Sequence, residues 1–126
     1  MAKRKKNKVL VVDDHKDIRD LLAEAVSQLN CEVSKASDGE EALKMIQKDK
    51  PDILLLDINM PKINGFEVLR KVKSREATKD IYVIVFTVRS RPNDVDMGYK
   101  LGADVYFDKP RDVIPEVIKA LELINS

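Results

Sequence analysis

Ile53, Leu54, Leu55 and Leu56 form an unbroken apolar run that ends on a carboxylate, Asp57, and is fenced by Pro51 and Pro61. The run is too short for a free-standing helix and has no polar face, so it predicts a β-strand buried on both sides, as in a parallel sheet. Val9 to Val12 is a second such run and ends on Asp13 and Asp14. Ile81 to Phe86, rich in β-branched and aromatic residues, is a third and ends on Thr87. Val105 to Phe107 is a shorter fourth, leading to Asp108, Lys109 and Pro110.

Helical signals separate these strands. Ile18, Leu21, Leu22, Ala25 and Leu29 recur at the spacings of one helical face. Cys31 to Ala36 alternates, with Cys31 and Val33 against Glu32 and Ser34, which suits a strand nearer the sheet edge. Capping-box spacing then occurs twice, Ser37 with Glu40 and Asp38 with Glu41, ahead of a helix carrying Ala42, Leu43 and Ile46. A loop at Pro61 to Gly65 precedes a third helix marked by Phe66, Leu69 and Val72. A short fourth helix begins near Pro92; Gly98 weakens it and Gly102 closes it as the residue beyond the C-cap. The last helix carries Pro115 in its first turn and an apolar face of Val117, Ile118, Leu121 and Ile124. Five strands alternating with five helices and joined by right-handed crossovers predict an α/β fold, an open doubly wound parallel sheet with helices on both faces.

A chain of 126 residues, 44% of them hydrophobic, suits one compact domain. No apolar run approaches membrane-spanning length, and the basic start meets only Val9 to Val12 before two aspartates, unlike a signal peptide. A cytoplasmic protein without membrane insertion is the expectation. Cys31 is the only cysteine, which excludes an internal disulfide and a cysteine-based metal site. The net charge of +1 is uneven: Lys3, Arg4, Lys5, Lys6 and Lys8 crowd the start with no acid among them. Residues 1–7 are read as a solvated basic tail and 8–126 as the domain. No aromatic residue interleaves the cluster and no helix-turn-helix follows, so direct nucleic-acid binding is not expected.

The polar residues that follow the strands carry the functional argument. Carboxyl ends of parallel strands share one edge, so Asp13, Asp14, Asp57, Thr87 and Lys109 are expected to converge there. Each alone has a plainer reading: the aspartates and Thr87 as helix caps, Lys109 as a solvated amine. Together they form a set of three acids, a hydroxyl and an ammonium. Clustered carboxylates with no His or Cys among the expected ligands suit Mg²⁺. Lys109 and Thr87 suit the equatorial oxygens of a transferring phosphoryl group, and a carboxylate can itself be the nucleophile.

Asp13 and Asp14 after Val9 to Val12, Asp57 within the stretch from Leu54 to Leu69, Thr87 after Phe86, Gly102 with Ala103, and Tyr106 through Lys109 to Pro110 together resemble the receiver domain of two-component response regulators. The likeness runs from about Lys8 to Ile124 and extends to the single-domain chemotaxis-type regulators. It implies the flavodoxin-like strand order 2-1-3-4-5, for which a receiver of this kind is a standard example. It implies that Asp57 accepts a phosphoryl group from a sensor histidine kinase or phosphotransfer protein. Asp14, Asp57 and the backbone carbonyl of Asn59 would hold Mg²⁺, with Asp13 acting through water. Lys109 would contact the phosphoryl group, Thr87 and Tyr106 would switch, and the Lys109–Pro110 bond would be cis. The face made by the fourth helix, fifth strand and fifth helix would signal to a downstream target or a linked output domain, as a monomer or a phosphorylation-dependent dimer. The family catalyses only its own phosphotransfer and dephosphorylation. Val88 and Arg111 depart from the pattern, and the bulk of Val88 suggests slower access of small donors to Asp57.

His15, the only histidine, is expected at the start of a helix and pointing outward; Tyr82 and Tyr99 are assigned nothing. Two other classes are disfavoured. A haloacid dehalogenase-type phosphatase would want an aspartate where Asn59 stands, and a flavodoxin-like electron carrier would not place Asp13 and Asp14 where FMN phosphate binds. A receiver acting unphosphorylated is opposed by the intact set of five residues. The sequence ends soon after the last helical position, so a stand-alone regulator and a fragment of a longer one are both open.

Overall fold

The computed structural model describes residues 7–58, 60, 63–87, 92–107, 115, 118, 119 and 121–123. The elements run β1 (Asn7–Val12), α1 (Lys16–Ser27), β2 (Cys31–Ala36), α2 (Gly39–Lys48), β3 (Ile53–Asp57), α3 (Gly65–Ser74), β4 (Tyr82–Phe86), α4 (Pro92–Lys100) and β5 (Val105–Phe107). A fifth helix, α5, follows, with described residues 115, 118, 119 and 121–123. The five strands are parallel, in the order β2-β1-β3-β4-β5. β3 is central, and all five of its residues are buried.

Alternate residues of each strand feed two separate cores. Val9, Val11, Ile53, Leu55, Ile84 and Phe86 pack with Leu22, Ala23 and Val26 of α1 and with Leu121 of α5. Leu10, Val12, Leu54, Leu56, Val83 and Val85 pack with Ala42 and Ile46 of α2 and with Val68, Leu69 and Val72 of α3. The period of two along a strand, with both faces covered, explains the all-apolar runs.

Two local expectations are refined. The buried face of α1 is Leu22, Ala23 and Val26, whereas Leu21 is 53% exposed. Because Leu21 and Leu22 are both leucines, the i+3 and i+4 readings from Ile18 compete, and packing selects the second. Of the two capping boxes, Asp38 with Glu41 is the one used. The Asp38 carboxylate accepts from Glu41 N at 2.8 Å, and Glu41 reaches back to Ser37 N at 3.2 Å. Asn64 caps α3 in the same way, accepting from Glu67 N at 3.1 Å.

α4 ends in a Schellman closure, with Ala103 N donating to Gly98 O at 3.0 Å and Gly102 N to Tyr99 O at 3.1 Å. Gly102 sits at φ +105°, the left-handed region where only glycine is unstrained. Lys73 from α3 braces this corner. Its Nζ donates to Ile81 O at 2.6 Å and to Asp104 Oδ2 at 3.0 Å, and the same Asp104 oxygen accepts from Val83 N at 2.8 Å.

Candidate functional site

Strand register brings the acids together. Val12 lies opposite Leu56 and Asp57 opposite Phe86, so Asp13 and Asp57 emerge side by side at the carboxyl edge, with Thr87 one residue beyond on the next strand. All three are buried, at 2%, 7% and 1% exposure respectively. Such burial of polar side chains is costly unless they are partnered or hold a ligand. The backbone supports the edge: Ile58 N donates to Phe86 O at 3.3 Å and Thr87 N to Phe107 O at 3.0 Å.

Gly65 lets α3 begin against this edge. Its N–H donates to Ile58 O at 3.0 Å. A Cβ there would run into the carbonyl oxygen of Asp57 and stand 2.6 Å from Ile58 Cα. Close backbone approach, rather than an unusual φ, is what demands glycine here.

Carboxylate oxygens of Asp13, Asp14 and Asp57 and a ring nitrogen of His15 all lie within 4.8 Å of one another. Burial pushes the Asp13 carboxyl above its ordinary range, opposed by the N–H of His15, which donates to Asp13 Oδ1 at 2.8 Å. Arg19 donates to the Asp13 carbonyl at 2.8 Å and so fixes the turn after β1. Asp14 Oδ1 is buried and makes no hydrogen bond among the described residues. Three convergent acids, one of them with such an oxygen, make a hard-oxygen donor set that fits a divalent cation of the Mg²⁺ type.

His15 sits exposed at the start of α1, as expected. Its side chain is 65% exposed, as a helix-start residue should be, yet Nδ1 stands 3.3 Å from Asp13 Oδ1 and 3.2 Å from Asp14 Oδ1. The charge of Asp14, followed by the contact with Asp13, raises the affinity of the imidazole for a proton. Adjacency to the acidic pair was the only sequence signal for this.

Tyr106 is buried in the core beneath α4, at 8% exposure. Its ring lies 6.3 Å from that of Tyr99, centroid to centroid, and its N–H donates to Tyr99 Oη at 3.3 Å. Tyr99, assigned nothing from sequence, is therefore its immediate neighbour. Gly98 makes room for the Tyr106 ring, since a Cβ would stand 2.6 Å from Cδ2. Asn59, Val88, Lys109, Pro110 and Arg111 lie outside the described residues, as do residues 1–6 of the basic tail. Among the described residues, no helix is long and apolar enough to cross a membrane.

Comparison with known proteins agrees with this architecture. The response regulator receiver domain family matches residues 9–122. A probable transcriptional regulator, ycf27, of Guillardia theta is 40% identical over 105 residues, covering 83% of this chain and 40% of that protein. The chain thus spans about two fifths of the length of the curated relatives it matches. Among solved structures, the chemotaxis response regulator CheY4 of Vibrio cholerae superposes with a TM-score of 0.85 at 31% identity, covering 95% of this chain and 99% of that one. The Mn²⁺-bound form of response regulator Rcp1 gives a TM-score of 0.80 at 29% identity, over 94% and 91% of the two chains. With its five parallel strands in the flavodoxin-like order, its acidic cluster at their carboxyl edge and a family match over nearly its whole length, the chain belongs to the response regulator receiver domains of two-component signalling.

Proposed function

We propose that this receiver domain takes a phosphoryl group from the phosphohistidine of a sensor histidine kinase, or of a phosphotransfer protein, onto Asp57. The observation that carries the reading is the meeting of Asp13, Asp14 and Asp57 within 4.8 Å at the end of the central strands. One Asp57 carboxylate oxygen attacks phosphorus while the P–N bond of the donor breaks, and the departing imidazole keeps the bonding pair and takes up a proton. Asp13, Asp14, Asp57 and the Asn59 carbonyl are the residues that would hold Mg²⁺, with Asp13 acting through water; the ion supplies charge neutralisation for the phosphoryl oxygens. Mn²⁺ in the related Rcp1 supports a divalent cation here. Lys109 and Thr87 act on the remaining phosphoryl oxygens as a point charge and a hydroxyl donor.

The output follows from the same edge. Thr87 closes onto the phosphoryl group, Tyr106 changes rotamer in step, and α4, β5 and α5 present the altered face to a downstream protein or a linked output domain. The domain turns over only its own phosphoryl group and makes no direct contact with nucleic acid. The test is incubation with a small phosphodonor, with and without Mg²⁺, followed by mass spectrometry of wild type and Asp57→Asn. Mg²⁺-dependent labelling lost in the variant is the expected result, and unchanged labelling would remove Asp57 as the acceptor.

A further inference from the structure

The last turns of α2 and α3 enclose a groove of about 290 Å³ at the opposite end of the sheet from the acids. Lys50, and Ala77 with Thr78, line it and belong to the connections that enter β3 and β4, which places it at the amino edge. Its floor is Leu43, Ile46, Val72 and Ala77. Ile46 and Val72 are buried in the core and Leu43 packs against it, so the floor is the margin of that core. Three cations stand over this apolar floor, Lys50, Lys71 and Arg75, and among the described residues no acidic side chain lines it. Lys50 is answered by Asp80 at 2.7 Å and draws the Asp80 carboxyl below its ordinary range. Lys71 and Arg75 have no such answer. Among the described residues neither side chain joins an ion pair, whereas Arg70, Lys73 and Lys79 around them each have one. Glu67, one turn before Lys71, is held by Arg70 at 3.0 Å. The negative end of α3 accounts for a cation in its last turn, but not for two beside an apolar groove without a counter-charge.

From this complementarity we infer that the groove between α2 and α3 binds an acidic amphipathic helix of a partner protein, seating its apolar side chains on the floor and its carboxylates against Lys71 and Arg75. Lys71 and Arg75 are four residues apart, about 6 Å along the helix axis. Carboxylates at i and i+4 of a docked helix have the same spacing, and apolar side chains one turn apart line the face between them. A recess walled by two helices takes protruding side chains; a bilayer is met by a projecting apolar face instead. The site draws on neither the acidic edge nor the α4–β5–α5 face, so it stands independently of phosphoryl transfer to Asp57.

The test titrates the whole chain, without phosphodonor, into a fluorescein-labelled helical peptide of about five turns with leucines along one face and glutamates beside them. Two copies serve as comparisons, one with lysine for each glutamate and one with serine for each leucine. Fluorescence anisotropy should show saturable binding of the first peptide alone. The double reversal Lys71→Glu with Arg75→Glu should weaken it about tenfold or more, while Lys119→Glu, a charge reversal at an exposed position on α5, should leave it unchanged. Amide shifts of the wild-type chain, which need no variant to fold, should concentrate on Leu43, Gln47, Lys71, Arg75 and Thr78. No binding of the leucine–glutamate peptide, equal binding of either copy, or shifts centred elsewhere would overturn the inference. Self-association of the chain lost in the double variant would assign the groove to a second copy, and capture by phosphatidylserine-rich vesicles lost in the same variant would assign it to a membrane surface; either would overturn the helix as occupant.

Discussion

Replacing Gly65 by alanine tests whether α3 is pressed against the acidic edge as closely as the geometry requires. The new Cβ would collide with Asp57 O and stand 2.6 Å from Ile58 Cα and 3.1 Å from Asp57 C, all of them backbone atoms of the strand end. Backbone cannot swing aside as a side chain can, so either α3 or the end of β3 must shift. Overpacking of this kind costs about 1–3 kcal/mol. Little is recovered from helix propensity, because Gly65 is the first residue of α3 and not an interior one. For a domain of this size the loss corresponds to a fall of roughly 4–12 °C in the thermal midpoint. Gly98→Ala is the control. Its Cβ meets side chains and not backbone, the Tyr106 ring at 2.6 and 2.9 Å and Phe66 Cε1 at 3.9 Å, and the site is within α4, where alanine regains about 1 kcal/mol. Differential scanning calorimetry of the two variants should therefore show a clear loss for Gly65→Ala and a much smaller one for Gly98→Ala. Equal midpoints for Gly65→Ala and wild type would refute the close approach.

Leu22→Ala should cost about 2–5 kcal/mol in urea unfolding because Leu22 is fully buried, whereas Leu21→Gln, at a 53% exposed position, should stay within about 0.5 kcal/mol; the reverse order would mean that α1 is rotated. Asp20, held down to about 2 by hydrogen bonds from Lys16 and then Lys35, has a folded pKa below its unfolded one. Its contribution is therefore present above the unfolded value and is lost as pH falls from about 4 through about 2. Thermal midpoints over that window should fall less steeply for Asp20→Asn than for wild type, by an amount that shrinks with added salt since the group is exposed.

The fold was legible because both faces of the sheet are covered: every strand but β2 is apolar enough to stand out, and a carboxylate or hydroxyl directly after an apolar run marks a strand's carboxyl end. The edge position of β2 showed in its alternation, with Cys31 and Ala36 buried and Glu32 and Ser34 exposed between them. What stayed hidden depends on contacts between elements. The face of α1 was ambiguous because Leu21 and Leu22 are both leucines. The need for Gly65 comes from a helix start resting on Asp57 and Ile58, residues of another element. Asp13, Asp14 and Asp57 were legible as a cluster because parallel register leaves them no other edge. The approach of the His15 ring to Asp13 and Asp14 and the Tyr99 contact with Tyr106 were not, since both are contacts between side chains that spacing does not encode.

The sheet also acts as a partition. Ile53 and Leu55 look toward α1 and α5, and Leu54 and Leu56 toward α2 and α3, and among the described residues no buried side chain belongs to both compartments. Between them runs main chain that is hydrogen-bonded along both edges of β3. Substitutions of well-separated residues on opposite sides should combine with near additivity. Leu121 of α5 lies in the α1 compartment and Tyr106 of β5 in the other, so the corner where α4, β5 and α5 meet draws on both walls of the sheet.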